Sequence, residues 1–279
     1  MIIDAHHQMW ECNLRDYAWM SDAMPSLRND FLVPELQQVM VESGVTGTVA
    51  VQARQAIEET KWLLELANPP SPLLGVVGWI PLIDRDARAC LEHLAASLAL
   101  KAVWHILDDE PIAFYTFRGD FNSGVGLLQE FGLAYDILIF ERHLPQTLRF
   151  VDRHTNQVFV LDQVGKPRIR EELLSSWREN VGELAERENV YCKVSGMVTE
   201  SDRTGWSEDD LRPYFDVILS SFGPRRLMFG SDWPVLNLAG GYKSWINGFR
   251  SLLQELTPDE QENVCRNIAT SVYNLQPNG

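Results

Sequence analysis

The chain has 279 residues, of which 45% are hydrophobic and 23% charged, a globular composition that argues against disorder. Its 24 basic and 39 acidic side chains give a net charge of −15, which disfavours nucleic acid and anionic membrane as partners, because both attract clustered Lys and Arg. The length allows a large core and suits one large domain or two ordinary ones.

The predicted elements alternate between short apolar strands and helical patterns along the chain. The predicted strands are residues 1–6, 46–51, 75–80, 100–105, 133–139, 157–162, 190–194 and 226–230. The predicted helices are residues 33–42, 57–67, 86–98, 122–131, 144–154, 171–187, 211–221 and 242–256. Gly44 occupies the position after the first helix, and Thr257-Pro-Asp-Glu260 forms a capping box that begins a last helix.

Eight strand–helix units of this length predict parallel strands joined by crossover helices. We therefore expect an α/β fold, a single (β/α)₈ TIM-type barrel that spans residues 1–279 as one domain. A doubly wound sheet is the alternative, but no glycine-rich dinucleotide or phosphate motif follows any predicted strand.

The N-terminal region and the cysteines predict the compartment. Charged residues and histidines interrupt the first twenty residues, which therefore lack the apolar stretch of a secretory signal. No apolar run approaches the ~20 residues that span a bilayer. The four cysteines are far apart, so buried thiols are expected rather than a disulfide framework or a zinc site. These features predict a soluble cytoplasmic protein.

Polar and aromatic side chains recur at the carboxyl ends of the predicted strands, where a barrel of this type places its chemistry. The residues in question are Asp4, His6, His7, Gln8, Gln52, Arg54, Gln55, Trp79, Trp104, His105, Asp136, Asp162, Gln163, Lys193 and Asp232. Side chains alternate along a strand, so Asp4, His6 and Gln8 are expected on one face and His7 on the other, unless the strand end bulges.

Five segments at these strand ends together resemble the amidohydrolase superfamily, of the amidohydrolase 2 type. They are Ile3-Asp-Ala-His6, Gln52-Ala-Arg-Gln55, Leu161-Asp162 with Lys166-Pro167, Lys193-Val-Ser-Gly196 and Gly230-Ser-Asp-Trp-Pro234. The chain is similar to the sugar-lactonase branch that includes L-fuconolactonases and L-rhamnonolactonases. The resemblance implies a (β/α)₈ barrel that hydrolyses an aldonolactone to its acid, with a small-molecule sugar lactone as its partner. The sequence leaves the sugar, the ring size and the oligomeric state open.

The resemblance also implies where a divalent metal would bind, and the sequence departs from that pattern. The superfamily has His-x-His on the first strand, a histidine on the sixth and an aspartate on the eighth. His6 and Asp232 match two of these positions, whereas Gln8 and Gln163 occupy the other two. Amide oxygens bind zinc weakly, so we expect no tightly bound metal and no other cofactor. A weakly held Mg²⁺ or Ca²⁺ on His6 and Asp232 is the alternative.

The candidate catalytic residues follow from hydrolysis without a metal. A carboxylate can take the proton from the attacking water, and Asp232 is the expected general base. His6, Gln8 and Gln163 are expected to donate hydrogen bonds to the developing oxyanion. Asp162 is expected to orient Gln163 or to cap the strand end, and Lys193 to meet substrate hydroxyls at the rim.

The candidate substrate-binding residues are Arg54 for a polyol or carboxylate, Trp79 and Trp104 for a sugar face, and His105 and Lys166 for polar groups. Two other functions stay open. One is a different metal-dependent hydrolase or decarboxylase on the same barrel, and the other is a catalytically degenerate sugar-acid binding protein.

Overall fold

The computed structural model describes residues 1–17, 19–106 and 116–276, and eight of its strands form one sheet in which each strand pairs in parallel with the next. The strands are β1 (Ile2–His7), β2 (Val45–Val51), β3 (Leu73–Gly78), β4 (Leu100–Ile106), β5 (Ala134–Leu138), β6 (Phe159–Leu161), β7 (Val190–Val194) and β8 (Leu227–Phe229). The amide of Asp232 donates to the carbonyl of His6 at 2.8 Å, and that of Gln8 to the carbonyl of Trp233 at 2.7 Å. These bonds join the end of β1 to the segment after β8, which confirms the predicted TIM-type barrel.

Helices pack around the barrel between the strands. They are α1 (Val33–Ser43), α2 (Ile57–Leu66), α3 (Ala87–Leu94), α4 (Gly119–Leu128), α5 (Leu144–Val151), α6 (Ser175–Ala185), α7 (Met197–Glu200), α8 (Glu208–Phe222), α9 (Gly241–Leu252), α10 (Pro258–Glu262) and α11 (Ile268–Val272). Short 3₁₀ turns occupy Pro25–Leu27, Gln129–Phe131, Glu141–His143, Asp162–Gly165 and Val235–Ala239, and a π-helical turn, Asn263–Asn267, joins α10 to α11. No helix in the described ranges is both long and apolar enough to cross a bilayer.

Local chemistry explains where several helices begin and end. Gly44 ends α1 with φ of 72°, and the side chains of Thr257 and Glu260 cap α10 reciprocally, as the sequence predicts. Helix α6 begins at Ser175, four residues later than predicted. The cause is Glu172, whose φ of 54° is left-handed and cannot belong to a right-handed helix.

Apolar side chains fill much of the barrel interior, starting from the end where the strands begin. Its inner side chains are Ile3, Ala5, Val49, Val51, Val77, Ala102, Trp104, Ala134, Leu138, Val160 and Met228, joined by Ala269, Tyr273 and Leu275. Lys101 Nζ, near the start of β4, donates to the carbonyl of Asn274 at 2.9 Å. The C-terminal segment therefore covers this end of the barrel, and the polar strand-end residues lie towards the opposite end.

A β-bulge interrupts β1 just before its end. Asp4 pairs with Thr48 and His7 with Ala50, so three steps along β1 oppose two steps along β2. Ala5 and His6 together oppose the single residue Val49, so β1 carries one additional residue here.

The bulge changes which side chains face the barrel interior. The Asp4 carboxylate points outward and accepts a hydrogen bond of 2.7 Å from Tyr242 of α9, whereas the His6 ring lies inside, 6.4 Å from the ring of Trp104. The expectation that Asp4 and His6 share a face is therefore wrong, because the bulge reverses the alternation between them. His7 contacts the ring of Trp233 at 6.2 Å.

Candidate active site

Five ionisable side chains from the ends of β1 and β5–β8 meet inside the barrel, towards the carboxyl ends of its strands. They are His6, Asp136, Asp162, Lys193 and Asp232, and each is at most 2% exposed. Lys193 Nζ lies 2.5 Å from Asp136 Oδ2, 2.9 Å from Asp162 Oδ1 and 3.4 Å from His6 Nδ1. His6 Nε2 in turn lies 3.6 Å from Asp232 Oδ1. We call this group the polar cluster.

The carboxylates around Lys193 keep its amino group protonated. Burial lowers the pKa of Lys193, but Asp136 and Asp162 outweigh that effect and raise it above the usual value. Burial raises the pKa of Asp136 to about 6 despite the nearby ammonium. Burial also opposes ionisation of Asp162, yet Lys193 and His6 lower the pKa of Asp162 below its usual value. Lys193 is thus an internal cation, whereas the sequence placed it at the rim.

Asp232 connects the polar cluster to the surface. Its backbone is left-handed, with φ of 63°, and its Oδ1 accepts a hydrogen bond of 2.8 Å from Gln163 Nε2. Among the described residues, no group donates to Oδ2. Burial raises the pKa of Asp232 to about 6, although the neighbouring His6 and Lys166 side chains and the hydrogen bond from Gln163 act in the opposite direction. The carboxylate is therefore mostly ionised at neutral pH and still basic enough to accept a proton.

The loop after β6 is strained where it presents Gln163. Gln163, Val164, Gly165 and Lys166 have φ of 51°, 47°, 73° and 47°, all in the left-handed region. For a β-branched residue such as Val164 this conformation is an outlier, and such a residue costs on the order of 1–3 kcal/mol. Trp177 Nε1 donates to the carbonyl of Val164 at 2.9 Å and fastens the loop.

Two glycines leave room for the site side chains. A Cβ atom on Gly196 would lie 2.8 Å from Gln163 Cβ, and one on Gly230 would lie 2.8 Å from His6 Cβ and 2.9 Å from Ser195 Cβ. Real Cβ atoms do not approach this closely, so larger residues here would displace Gln163 or His6. Both glycines belong to the motifs that carry the sequence resemblance.

A cavity of about 410 Å³ opens above Asp232. Its polar and aromatic walls include Gln8, Trp104, Gln163, Lys166, Arg203 and Asp232. Gln8 Nε2 donates to the carbonyl of Gln52 at 3.4 Å, which leaves its second amide hydrogen for a ligand. His6 is fully buried behind Asp232 and does not line the cavity. A chamber with aromatic and hydrogen-bonding walls suits a polyol ring.

A larger, cationic cavity of about 680 Å³ adjoins the first and shares Lys166 and Arg203 with it. Arg142, Arg168 and Arg170 also line it, together with three glutamates. Its excess of cations suits an anion such as a carboxylate product.

Trp79 and His105 lie in a different part of the barrel. Trp79 Nε1 donates to His105 Nδ1 at 3.2 Å, and the His105 ring packs against Phe121 of α4. Both residues line a separate cavity of about 160 Å³. Burial lowers the pKa of His105 to about 4, so the ring is neutral at pH 7. Within the described residues, this cavity shares no lining residue with the cavity above Asp232.

Arg54 lies in a fourth cavity, of about 430 Å³, beside β2. Its guanidinium contacts Asp16 at 2.8 Å and Glu59 at 2.9 Å. Glu59 also accepts hydrogen bonds from the backbone amides of Ala53 and Arg54. The described part of the chain places no lining residue in common between this cavity and the one above Asp232.

The donor set of the polar cluster does not fit a tightly bound zinc ion. Gln163 turns its amide nitrogen, not its oxygen, towards Asp232, and Asp162 is paired with Lys193. Only His6 and Asp232 remain as strong ligands, whereas structural and catalytic zinc sites use at least three protein ligands. Across the described ranges, no three His, Cys, Asp or Glu side chains are grouped closely enough to hold a metal.

The sequence assigned no role to two residues of the site: Asp136, which is among the polar strand-end residues, and Tyr273. Asp136 was available as a signal, because it is an acidic residue within an otherwise apolar strand. Tyr273 donates to Asp136 Oδ2 at 2.8 Å, but it reaches the cluster from the C-terminal segment, 137 residues away in sequence. No local pattern predicts that contact.

Comparison with known proteins gives consistent matches over the whole chain. A family profile described as Amidohydrolase matches residues 3–275. The L-fucono-1,5-lactonase of Burkholderia multivorans is 40% identical over 252 residues, covering 86% of this chain and 84% of that protein. The L-fucono-1,5-lactonase of Burkholderia ambifaria is 33% identical, covering 99% of this chain and 97% of that protein.

A solved structure shows the same architecture. The crystal structure of an amidohydrolase from Burkholderia multivorans with bound zinc aligns with a TM-score of 0.94 at 36% identity, covering 99% of this chain and 100% of that one. The zinc ion was found in that protein. In the present chain, the residues near Asp232 are those described above, with Gln8 and Gln163 beside His6 and Asp232.

Proposed function

The chain belongs to the amidohydrolase family, and from this premise we propose that it opens the ring ester of a sugar lactone to give the corresponding aldonic acid. Two similar proteins are L-fucono-1,5-lactonases, at 40% and 33% identity, which supports a sugar lactone as substrate. The observation that carries the proposal is Asp232, a buried carboxylate with one oxygen fixed by Gln163 and the other directed to no protein donor in the described residues.

Asp232 Oδ2 is the general base. It takes a proton from a water molecule as the water oxygen attacks the lactone carbonyl carbon. The tetrahedral intermediate then collapses with cleavage of the bond between that carbon and the ring oxygen. Asp232 returns the proton to the departing hydroxyl, and the free enzyme is restored. A pKa of about 6 suits both steps, because the group accepts and releases a proton near neutral pH.

The neighbouring residues hold Asp232 and the substrate. Gln163 donates to Asp232 Oδ1, and His6 faces the same oxygen from behind. Gln8 and Lys166 line the cavity and stabilise negative charge on the carbonyl oxygen. Trp104 forms an apolar wall against the sugar ring.

The reaction proceeds without a tightly bound divalent cation. A metal would lower the pKa of its water to about 7, whereas here a carboxylate base removes the proton during attack. The ligand set supports this, since Gln8 and Gln163 replace two imidazoles. The four cysteines are free thiols, which fits a reducing compartment, and we assign the reaction to the cytoplasm.

The predicted binding residues Arg54, Trp79 and His105 fall outside this mechanism. They line other cavities, so a role in binding would require a substrate that extends beyond the chamber above Asp232. Their substitution tests that extension directly.

The test is proton release from a panel of neutral γ- and δ-aldonolactones, with spontaneous hydrolysis subtracted. We expect turnover of at least one lactone, with oxygen-18 from labelled water appearing in the carboxylate of the acid. Ligand binding without turnover on the whole panel would contradict the proposal and favour a sugar-acid binding protein.

A further inference from the structure

Lys193 contacts three acceptor atoms inside the barrel, and an ammonium has three hydrogens to donate. Two of these contacts are ion pairs with Asp136 and Asp162, at 2.5 Å and 2.9 Å. The third partner is Nδ1 of His6, at 3.4 Å. Because Lys193, His6 and both aspartates are fully buried, water does not compete for these contacts.

The positive charge of Lys193 requires His6 Nδ1 to act as a hydrogen-bond acceptor. An ammonium has no lone pair, so it can only donate a hydrogen bond, and Nδ1 must accept it. The two flanking carboxylates keep Lys193 protonated. A neutral imidazole carries one proton, and when Nδ1 is the acceptor that proton resides on Nε2.

The surroundings of His6 Nε2 also favour a proton on Nε2. His6 Nε2 lies 3.6 Å from Asp232 Oδ1, and in the described residues it has no other partner. A bare Nε2 would direct its lone pair at an anionic oxygen, which is repulsive. A protonated Nε2 directs an N–H at the same oxygen, which is attractive.

The opposite tautomer is disfavoured at both nitrogens. Asp162 Oδ1 lies 3.4 Å from His6 Nδ1 and could accept a proton from it. However, an Nδ1–H group would then face the N–H donors of Lys193. The Nε2 lone pair would also face Asp232.

We propose that Lys193 is a positioning residue, which holds His6 in the Nε2–H tautomer and so directs a hydrogen-bond donor at Asp232 Oδ1. His6 and Gln163 then both donate towards Oδ1, and Oδ2 is left as the oxygen that meets the water. This assignment rests on the proposed function for the role of Asp232, but the tautomer itself is a property of the resting protein. Lys193 acts at a distance from the substrate, through the imidazole.

Nitrogen-15 NMR of the full chain labelled at histidine tests the tautomer directly. The chain has six histidines, and a His6→Gln variant assigns the signals of His6. We expect one protonated and one bare ring nitrogen at neutral pH, with the proton on Nε2. A proton on Nδ1, or protons on both nitrogens, would overturn the proposal whether or not any lactone is hydrolysed.

Two variants identify Lys193 as the cause. Lys193→Met with Asp136→Asn removes one positive and one negative charge together, so the net charge of the polar cluster is unchanged, although Asp162 loses its ion pair with Lys193. We expect this variant to lose the preference for Nε2–H, and its kcat to fall by roughly 10–100-fold with KM little changed, as for groups that orient an active imidazole. Asp136→Asn alone keeps Lys193 and should keep the tautomer.

The outcome that contradicts the role of Lys193 is equally clear. If the folded double variant retains the Nε2–H tautomer, Lys193 does not set it. If neither enzyme hydrolyses a lactone, the proposed function fails, but the nitrogen spectra still decide the tautomer.

Discussion

The ends of β1 and β5–β8 differ sharply from the ends of β2–β4, although all carry polar residues. The first set contributes His6, Asp136, Asp162, Lys193 and Asp232 to one buried cluster. From the second set, Arg54 lines one separate cavity and Trp79 and His105 line another, whereas Trp104 lines the cavity above Asp232. Whether a strand-end side chain points into the barrel or towards the helices therefore determines which residues can act together.

β4 shows the rule within two adjacent residues. Trp104 belongs to the inner side chains of the barrel, and its neighbour His105 packs outward against Phe121. Alternation sends one ring to the candidate active site and the other to the helix layer. The predictions below test this division between the two sets of strand ends.

The largest effect is expected from Asp232→Asn. The amide keeps the shape and can still contact Gln163, but it cannot take a proton from water. We expect kcat to fall by about 10²–10⁴-fold, with little change in affinity for the acid product. Steady-state kinetics and calorimetric titration measure the two quantities. Full activity in a folded Asp232→Asn protein would show that the base lies elsewhere, and the division between strand ends would lose its functional meaning.

A smaller but still large effect is expected from Gly230→Ala. Its Cβ would meet His6 and Ser195 at under 3 Å, so His6 must move relative to Asp232. We expect a loss of kcat approaching a hundredfold and a destabilisation of about 1–3 kcal/mol. Gly205→Ala is the matched control, because nothing lies within 4 Å of its Cβ. Equal kinetics for the two variants would argue that the position of His6 does not matter.

The pH dependence of kcat/KM should show one acid limb. Asp232 must be ionised to act as base, and burial raises its pKa to about 6. Activity should therefore fall by about tenfold from pH 7 to pH 5, following the ionised fraction of this carboxyl. Asp136→Asn should retain this limb, since Asp136 pairs with Lys193 and does not line the cavity. A profile that is flat down to pH 5 would exclude Asp232 as the base.

The smallest effect is expected from His105→Gln, on the opposite side of β4 from Trp104. Glutamine keeps a polar group near Trp79, and the cavity above Asp232 is untouched. We expect kcat/KM within about twofold of the parent, as for residues that do not contact the reacting atoms. A loss of tenfold or more in KM alone would bring the outer cavity into the substrate site.

The sequence predicts the strand order and the barrel, which the structure confirms, because strand patterns are local signals. The importance of Asp232 comes from an equally local motif and stays a prediction. The sequence does not predict the bulge at Ala5 and His6, since a bulge depends on pairing with β2. For the same reason the sequence placed His6 on the face of Asp4. Tyr273 and Asp136 come together only when the C-terminal segment closes the barrel. The missing information is the side of each strand and the long-range contacts, neither of which is encoded locally.

The most direct test is turnover of the preferred lactone by protein treated with a strong chelator, with metal content measured on the same sample. If Asp232 activates the water without a tightly bound cation, kcat should be unchanged when less than a tenth of an equivalent of any divalent metal remains. A loss of activity on chelation, restored by Zn²⁺, Mn²⁺ or Mg²⁺ alone, would contradict the mechanism.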